Sequence, residues 1–105
     1  MIELDSSIED DVLLLKPVGS IDSTTEEKFH RLLFDATINF KGVVRFDGSG
    51  VQYINSAAIG YLIGLHTRLQ ADGGQLRIVN PSPKLEDALR TTHLTETLHV
   101  EYLNG

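Results

Sequence analysis

The junction at Asn55-Ser56 offers this sequence its best place for chemistry. A strand-like run, Val51 to Ile54, ends there and a helical pattern begins with Ala57. Ser56 stands where an N-cap belongs, which places its hydroxyl oxygen beside the unpaired amides of Ala57, Ala58 and Ile59. Those amides and the helix dipole favour an anion. A phosphate ester on Ser56 Oγ would be stabilised there without disturbing the fold. Ala57 and Ala58 are small, so a modifying enzyme has room to approach. A serine at such a place is more often only a cap, and the residues alone favour that plainer reading.

Other groups are weaker candidates. Ser56 as a hydrolase nucleophile lacks the small residue two positions earlier that a nucleophile elbow needs, because Ile54 occupies it. No histidine or acid is recognisably placed to activate it. Asp47-Gly48-Ser49-Gly50 follows a strand but has neither the lysine nor the length of a P-loop, so it reads as a turn. His30, His66, His93 and His99 are dispersed without metal-ligand spacing, and cysteine is absent, so neither a metal site nor a disulfide is expected. Gly60 and Gly64, four apart in a helical pattern, read as a place of close helix packing rather than as a binding site. No catalytic residue and no cofactor is assigned.

These residues need elements to hold them. Ile2 to Ile8 alternates weakly and suits an edge strand. Val12 to Leu15 is a continuous apolar run, as in a strand buried on both faces, with Pro17 at its end and Val18-Gly19 leading into a loop. Ser23-Thr24-Thr25-Glu26 has capping-box spacing, and Phe29, Leu32, Leu33 and Ala36 recur at helical intervals, so a helix is expected from about Thr24 to Ala36. Val43 to Phe46 is a strand and Val51 to Ile54 an extended run. A well-buried helix is expected from about Ala57 to Ala71, closed by Asp72-Gly73-Gly74. Leu76 to Val79 is a strand. Ser82-Pro83 then starts a helix with Leu85, Ala88 and Leu89 inward, and Thr92-His93-Leu94 interrupts it. A short helical turn near Thr95 to Thr97 is expected to follow, and Leu98 to Leu103 reads equally as an edge strand or a tail. Strands alternating with helices define an α/β fold: a small, mixed, mostly parallel sheet with covering helices, its first two strands antiparallel.

Composition narrows the function further. The chain has 105 residues, 41% hydrophobic and 23% charged, which suits one globular domain over 1–105 rather than a disordered segment. A net charge of −6, with scattered lysines and arginines, argues against nucleic acid as a partner. The start of the chain lacks a signal-peptide pattern, and its longest apolar run, Val12-Leu13-Leu14-Leu15, is too short to cross a bilayer, so a cytoplasmic protein with no membrane partner is expected.

The run Asp47-Gly-Ser49-Gly-Val51-Gln-Tyr53-Ile54-Asn55-Ser56-Ala57-Ala58-Ile59-Gly60 resembles the signature of STAS domains of the anti-sigma factor antagonist type. Gly19-Ser20-Ile21-Asp22 is similar to that family's Gly-x-Leu-Asp turn. Gly73-Gly74-Gln75-Leu76 and Asn80-Pro81-Ser82-Pro83 match its later turn, strand and helix start, and Thr92-His93-Leu94 fits near the end. The likeness spans nearly the whole chain in the right order. Two positions depart: Asn55 replaces the family's Asp before the serine, and Ala58 replaces a Gly two residues after it. Ala58 is harmless in a helix. Asn55 removes a carboxylate that would repel a phosphoserine and that a kinase could read.

The resemblance implies a non-enzymatic, phosphorylation-controlled partner switch. Ser56 would be the phosphoacceptor, and Asp22 would take the kinase-contact role of the first-turn aspartate. The unphosphorylated chain would bind a protein serine kinase that doubles as an anti-sigma factor; the kinase would charge Ser56 and a PP2C-type phosphatase would discharge it. The expected docking surface comprises Asp22, Ser23, Thr24, Tyr53, Asn55, Ser56 and Ala57, with the exposed side of the following helix. Two other classes stay open: an unphosphorylated STAS scaffold subunit in a transporter or sensory complex, and an enzyme with Ser56 as nucleophile.

Overall fold

The computed structural model describes residues 1–103. The elements run β1 (Ile2–Glu9), β2 (Val12–Ile21), α1 (Glu26–Thr37), β3 (Val43–Asp47), β4 (Val51–Ile54), α2 (Ser56–Ala71), β5 (Gln75–Val79), α3 (Pro83–Thr91) and β6 (Val100–Glu101). The sheet has the order β1-β2-β3-β5-β6, with β4 paired to β2. β1 and β2 are antiparallel, and every other pairing is parallel. This is the small mixed sheet that the alternation of strands and helices predicts.

Register assembles the core. Leu13, Val44 and Leu76 are cross-strand partners, as are Leu15, Phe46 and Ile78. All six are buried in one cluster with Phe29 and Leu33 of α1, Leu62 and Leu69 of α2, and Leu85 and Leu89 of α3. Phe29 meets Phe46 edge-on, with ring centroids 6.3 Å apart. The intervening residues Val12, Leu14, Val43 and Arg45 point to the other face and are only half-buried. β2 is therefore not buried on both faces as its apolar run suggests; its burial alternates, because the helices cover one side of the sheet.

β2 is also longer than expected. Pro17 does not end it, and Val18-Gly19 is strand rather than loop. Pro17 falls between the stretch of β2 paired to β3, which ends at Leu15, and the stretch paired to β4, which begins at Gly19. A missing N–H there costs no ladder bond on that side. The register slips at Gly19/Ser20, and Gly19 has φ +127°, a conformation that suits glycine.

The capping box at Ser23 does not form. α1 begins at Glu26, with Thr25 at N-cap and no side-chain cap bond. The first turn is taken over by Asp22, whose carboxylate accepts from Thr24 N at 2.9 Å. By contrast, Ser82 caps α3 by accepting from Leu85 N, with proline at its first turn, as its sequence predicts. Gly73 closes α2 with φ +83°. The helical turn expected near Thr95 closes with Leu98 N donating to Leu94 O at 3.0 Å. The tail resolves into the two-residue strand β6 on the edge of β5.

Gly60 and Gly64 do not mediate close packing. Both lie on the exposed side of α2, and a Cβ at either would meet nothing within 4 Å. The buried stripe of α2 is instead Ala58, Ile59, Leu62, Leu65, His66 and Leu69, while Ile63 is 38% exposed.

Candidate functional site

β2 and β4 are parallel neighbours with Ser20 beside Tyr53 and Ile21 beside Ile54. Their carboxyl ends therefore finish side by side. In open α/β sheets this is where loops gather into sites. The residues that follow are Asp22 after β2 and Asn55 after β4, bound together by Asn55 N donating to Ile21 O at 3.0 Å. Two turns 33 residues apart in sequence thus share one surface.

β4 reaches this place because the loop before it turns sharply. Asp47 Oδ1 accepts from Ser49 N at 3.0 Å and Ser49 Oγ at 2.7 Å, a side-chain-stapled turn. Gly48 N donates to Val79 O and Gly48 O accepts from Ser82 N, so the loop is pinned to the end of β5 and the start of α3. A side chain at Gly48 would collide with Leu85 and approach Pro81. The Asp47–Gly50 segment is a turn, as expected, and its task is to hand the chain from β3 to β4.

Asn55, not Ser56, is the N-cap of α2. Its side-chain oxygen accepts from Ala58 N at 3.0 Å, and its carbonyl accepts from Ile59 N at 3.2 Å. Ser56 is the first helical residue. The expectation of three free amides is corrected accordingly: Ala58 and Ile59 are satisfied, leaving Ser56 and Ala57 as the amides without helical partners. The structural reason is that Asn is as good a cap as Ser and stands one residue earlier, where the backbone is still extended.

This rearrangement frees the serine hydroxyl. Ser56 and Ala57 are exposed, and Ser56 Oγ makes no hydrogen bond among the described residues. Asn55 also donates from Nδ2 to Glu26 Oε2 at 3.1 Å, tying the start of α2 to the start of α1. A carboxylate at position 55 would confront Glu26 instead. Sequence reasoning missed Glu26 in this role, assigning it to the capping box; the spacing of 29 residues gives no local signal.

Across the shared surface, Asp22 Oδ1 accepts from Thr24 Oγ1 at 2.6 Å, with Thr25 Oγ1 3.4 Å away. The hydrogen bond from the Thr24 side chain, with that from its amide, holds the Asp22 carboxyl below the ordinary aspartate range. Thr25 Oγ1 in turn donates to Ser20 O at 2.8 Å and accepts from Asp22 N at 2.9 Å. Ser23 and Thr24 are exposed at the tip of this turn, and Tyr53 is 48% exposed beside it. The candidate residues thus converge on one end of the sheet, around a hydroxyl that faces solvent.

The histidines do not join this surface. His30 stacks on Tyr61 with centroids 4.1 Å apart, and His66 and His99 face each other at 6.4 Å elsewhere. Among the described residues, no group of three His, Cys, Asp or Glu side chains is placed to hold a metal ion. No helix of the described residues is long and apolar enough to cross a membrane.

Residues 3–102 match the family model of the STAS domain, so the chain belongs to the STAS-domain family. Solved structures share its fold. The structure of an anti-sigma factor antagonist from Mycobacterium paratuberculosis superposes with a TM-score of 0.85 at 19% identity, covering 96% of this chain and 86% of that one. The anti-sigma factor antagonist SpoIIAA in its unphosphorylated form gives 0.79 at 15% identity, covering 99% and 89%. The Bacillus cell fate determinant SpoIIAA in the phosphorylated form gives 0.73 at 15% identity, covering 99% and 92%. No curated protein sequence matches the chain.

Proposed function

We infer that this chain is the antagonist in a partner switch of the anti-sigma factor kind, and that its state is set by phosphorylation of Ser56. The observation that carries this reading is the position of Ser56: exposed, unbonded, first in a helix, and level with the Asp22–Thr25 turn. A protein serine kinase that is also an anti-sigma factor would dock on Asp22, Ser23, Thr24, Tyr53, Asn55, Ser56 and Ala57. In the transfer, Ser56 Oγ attacks the γ-phosphorus of ATP, the bond to the bridging oxygen breaks, ADP leaves, and the serine proton passes to a base of the kinase. A PP2C-type phosphatase would return the hydroxyl by hydrolysis. The antagonist itself catalyses nothing in this scheme. The fold shared with SpoIIAA, whose structure exists in unphosphorylated and phosphorylated forms, supports the reading.

The switch is electrostatic. Phosphorylation adds about −1.5 to −2 charge at the centre of the contact surface. Burying that charge against a partner lacking a matched cation costs several kcal/mol, and each ~1.4 kcal/mol is tenfold in affinity. Within the chain, the free amides of Ser56 and Ala57 and the dipole of α2 accept the phosphate, so the fold has no reason to change.

Titration calorimetry against the purified kinase tests this. Ser56→Ala should bind as the wild type does, and Ser56→Asp should bind at least tenfold more weakly. Equal affinities for all three proteins would point to a scaffold subunit and overturn the switch.

A further inference from the structure

Asn55 and Ser56 are rivals for one amide. Either side chain can cap α2, and an N-cap accepts from the second or third amide of the helix it starts. With Asn55 as cap, Ala58 N is the third; with Ser56 as cap, it would be the second. Asn55 Oδ1 holds that amide at 3.0 Å, and Ser56 is already helical, with its hydroxyl unbonded among the described residues. A cap shifted by one residue would turn the Ser56 oxygen onto the end of the helix and occupy a lone pair there.

The neighbour that decides between them stands on α1. An asparagine side chain carries an acceptor at one end of its amide and donors at the other. Glu26 Oε2 accepts from Asn55 Nδ2 at 3.1 Å, so the donor end faces α1 and the acceptor end is left for Ala58 N. Turned over, the amide would set oxygen against carboxylate and N–H against N–H. An acceptor at position 26 therefore fixes the cap, and a charged one holds it more strongly. Glu26 and Asn55 are both half-buried. Glu26 is itself anchored, because its backbone N donates to Asp22 O at 2.9 Å. One line of hydrogen bonds thus runs from the Asp22 turn through Glu26 and Asn55 to the first turn of α2, and none of them uses Ser56 Oγ.

We propose that Glu26 is a positioning residue for the phosphorylation of Ser56. By accepting from Asn55 Nδ2 it keeps Asn55 in the cap, which leaves the Ser56 hydroxyl exposed and the amides of Ser56 and Ala57 free to receive a phosphate. The role rests on the switch inferred above and adds a residue of a second helix to it. Glu26 acts through Asn55 and takes no part in the bonds made or broken. Its removal slows transfer to a docked chain and leaves docking itself little changed. Two comparisons separate this from the general value of an acidic side chain at a helix start. Glu26→Gln keeps an acceptor in its Oε1. Glu27→Ala removes the other carboxylate in the first turn of α1, with a similar loss at the helix dipole, and Glu27 makes no hydrogen bond to Asn55 among the described residues.

Two measurements on the full chain test it. In nitrogen-15 spectra, Glu26→Ala should move the side-chain amide of Asn55 and the backbone amides of Ser56, Ala57 and Ala58, while Glu27→Ala leaves them near their wild-type positions. In phosphate transfer from ATP by the purified kinase, Glu26→Ala should lower kcat by about fivefold or more with KM within about twofold, and Glu26→Gln should recover most of that loss. Glu27→Ala should stay within about twofold of the wild type in both constants. The pair Asn55→Asp with Glu26→Gln, which reverses the polarity of the bond, should be phosphorylated faster than Asn55→Asp alone. Circular dichroism confirms that each variant is folded. Unmoved amides or an undiminished kcat in Glu26→Ala, an equal loss in Glu27→Ala, or a pair no faster than Asn55→Asp alone would overturn the role of Glu26 and leave the switch standing. A wild type that takes no phosphate on Ser56 would overturn the switch itself, and this role with it.

Discussion

Asn55 serves two elements at once. Its oxygen caps α2 through Ala58 N, and its amide nitrogen holds the Glu26 carboxylate at the start of α1. Asp would cap as well as Asn, so the cap alone does not distinguish them. The bond to Glu26 does, because a carboxylate at position 55 would lose a donor and gain a like charge. Asn55→Asp should therefore cost about 1–2 kcal/mol in urea unfolding at neutral pH. Combining it with Glu26→Gln, which supplies a donor, should recover most of the loss. Equal stability of Asn55→Asp and wild type would show that the Asn55–Glu26 bond contributes nothing.

Asp22 carries a second residue-scale expectation. Its carboxyl pKa is lowered chiefly by the hydrogen bond from the Thr24 side chain. A lowered folded-state value means that the turn's contribution is complete above the unfolded aspartate pKa, near ~3.9, and is lost as pH falls through the lower folded value. The Thr24 amide resonance should titrate with a midpoint below that of an unstructured aspartate. A midpoint at or above it would mean that the turn does not hold the carboxylate.

At the scale of elements, α2 is exposed where its glycines lie. Gly60 and Gly64 have open space in place of a Cβ. Either one changed to alanine should raise stability by up to about 1 kcal/mol, since alanine loses less backbone entropy in a helix. A thermal melt showing destabilisation would mean that the helix packs there after all. Gly48 is the opposite case. Gly48→Ala drives a methyl group into Leu85 and toward Pro81, and should cost about 1–3 kcal/mol through overpacking.

These two glycine environments also mark what the sequence discloses. Helical and strand periods at Phe29–Ala36, Ala57–Ala71 and Leu76–Val79 made the element order legible, and Ser82-Pro83 stated its cap directly. The Asn55-Ser56 junction was legible as a strand-to-helix boundary. Which of the two residues caps was not, because both types cap well and a one-residue shift leaves no trace in periodicity. The Ser23-to-Glu26 spacing misled for a related reason: Asp22 competes for the same turn with a stronger, charged acceptor. The true extent of β2 was hidden because two strands share its length, and no local pattern records where β3 ends and β4 takes over. The one-sided burial of the sheet, and the Asn55–Glu26 bond, depend on contacts distant in sequence.

For the whole molecule, the proposed switch implies a rigid platform with a changeable surface. The core residues of all three helices belong to one cluster on one side of the sheet, and the site stands at the sheet's end, outside that cluster. Charging Ser56 should therefore alter binding and spare the fold. Ser56→Asp places a carboxylate in the first turn of α2, where the dipole favours it by about 0.3–1 kcal/mol. Its melting temperature should equal or slightly exceed that of the wild type. A marked loss of stability would mean that a negative charge at Ser56 disturbs the fold rather than only the surface.

The proposed switch requires a Ser56 hydroxyl that another protein can reach and esterify. Mass spectrometry of the chain isolated from its own cells, across growth conditions, reads this without intermediaries. One phosphate per chain, carried by Ser56, is the expected result. An intact chain that never bears phosphate there, or bears it on Ser49 or Ser82 instead, contradicts it.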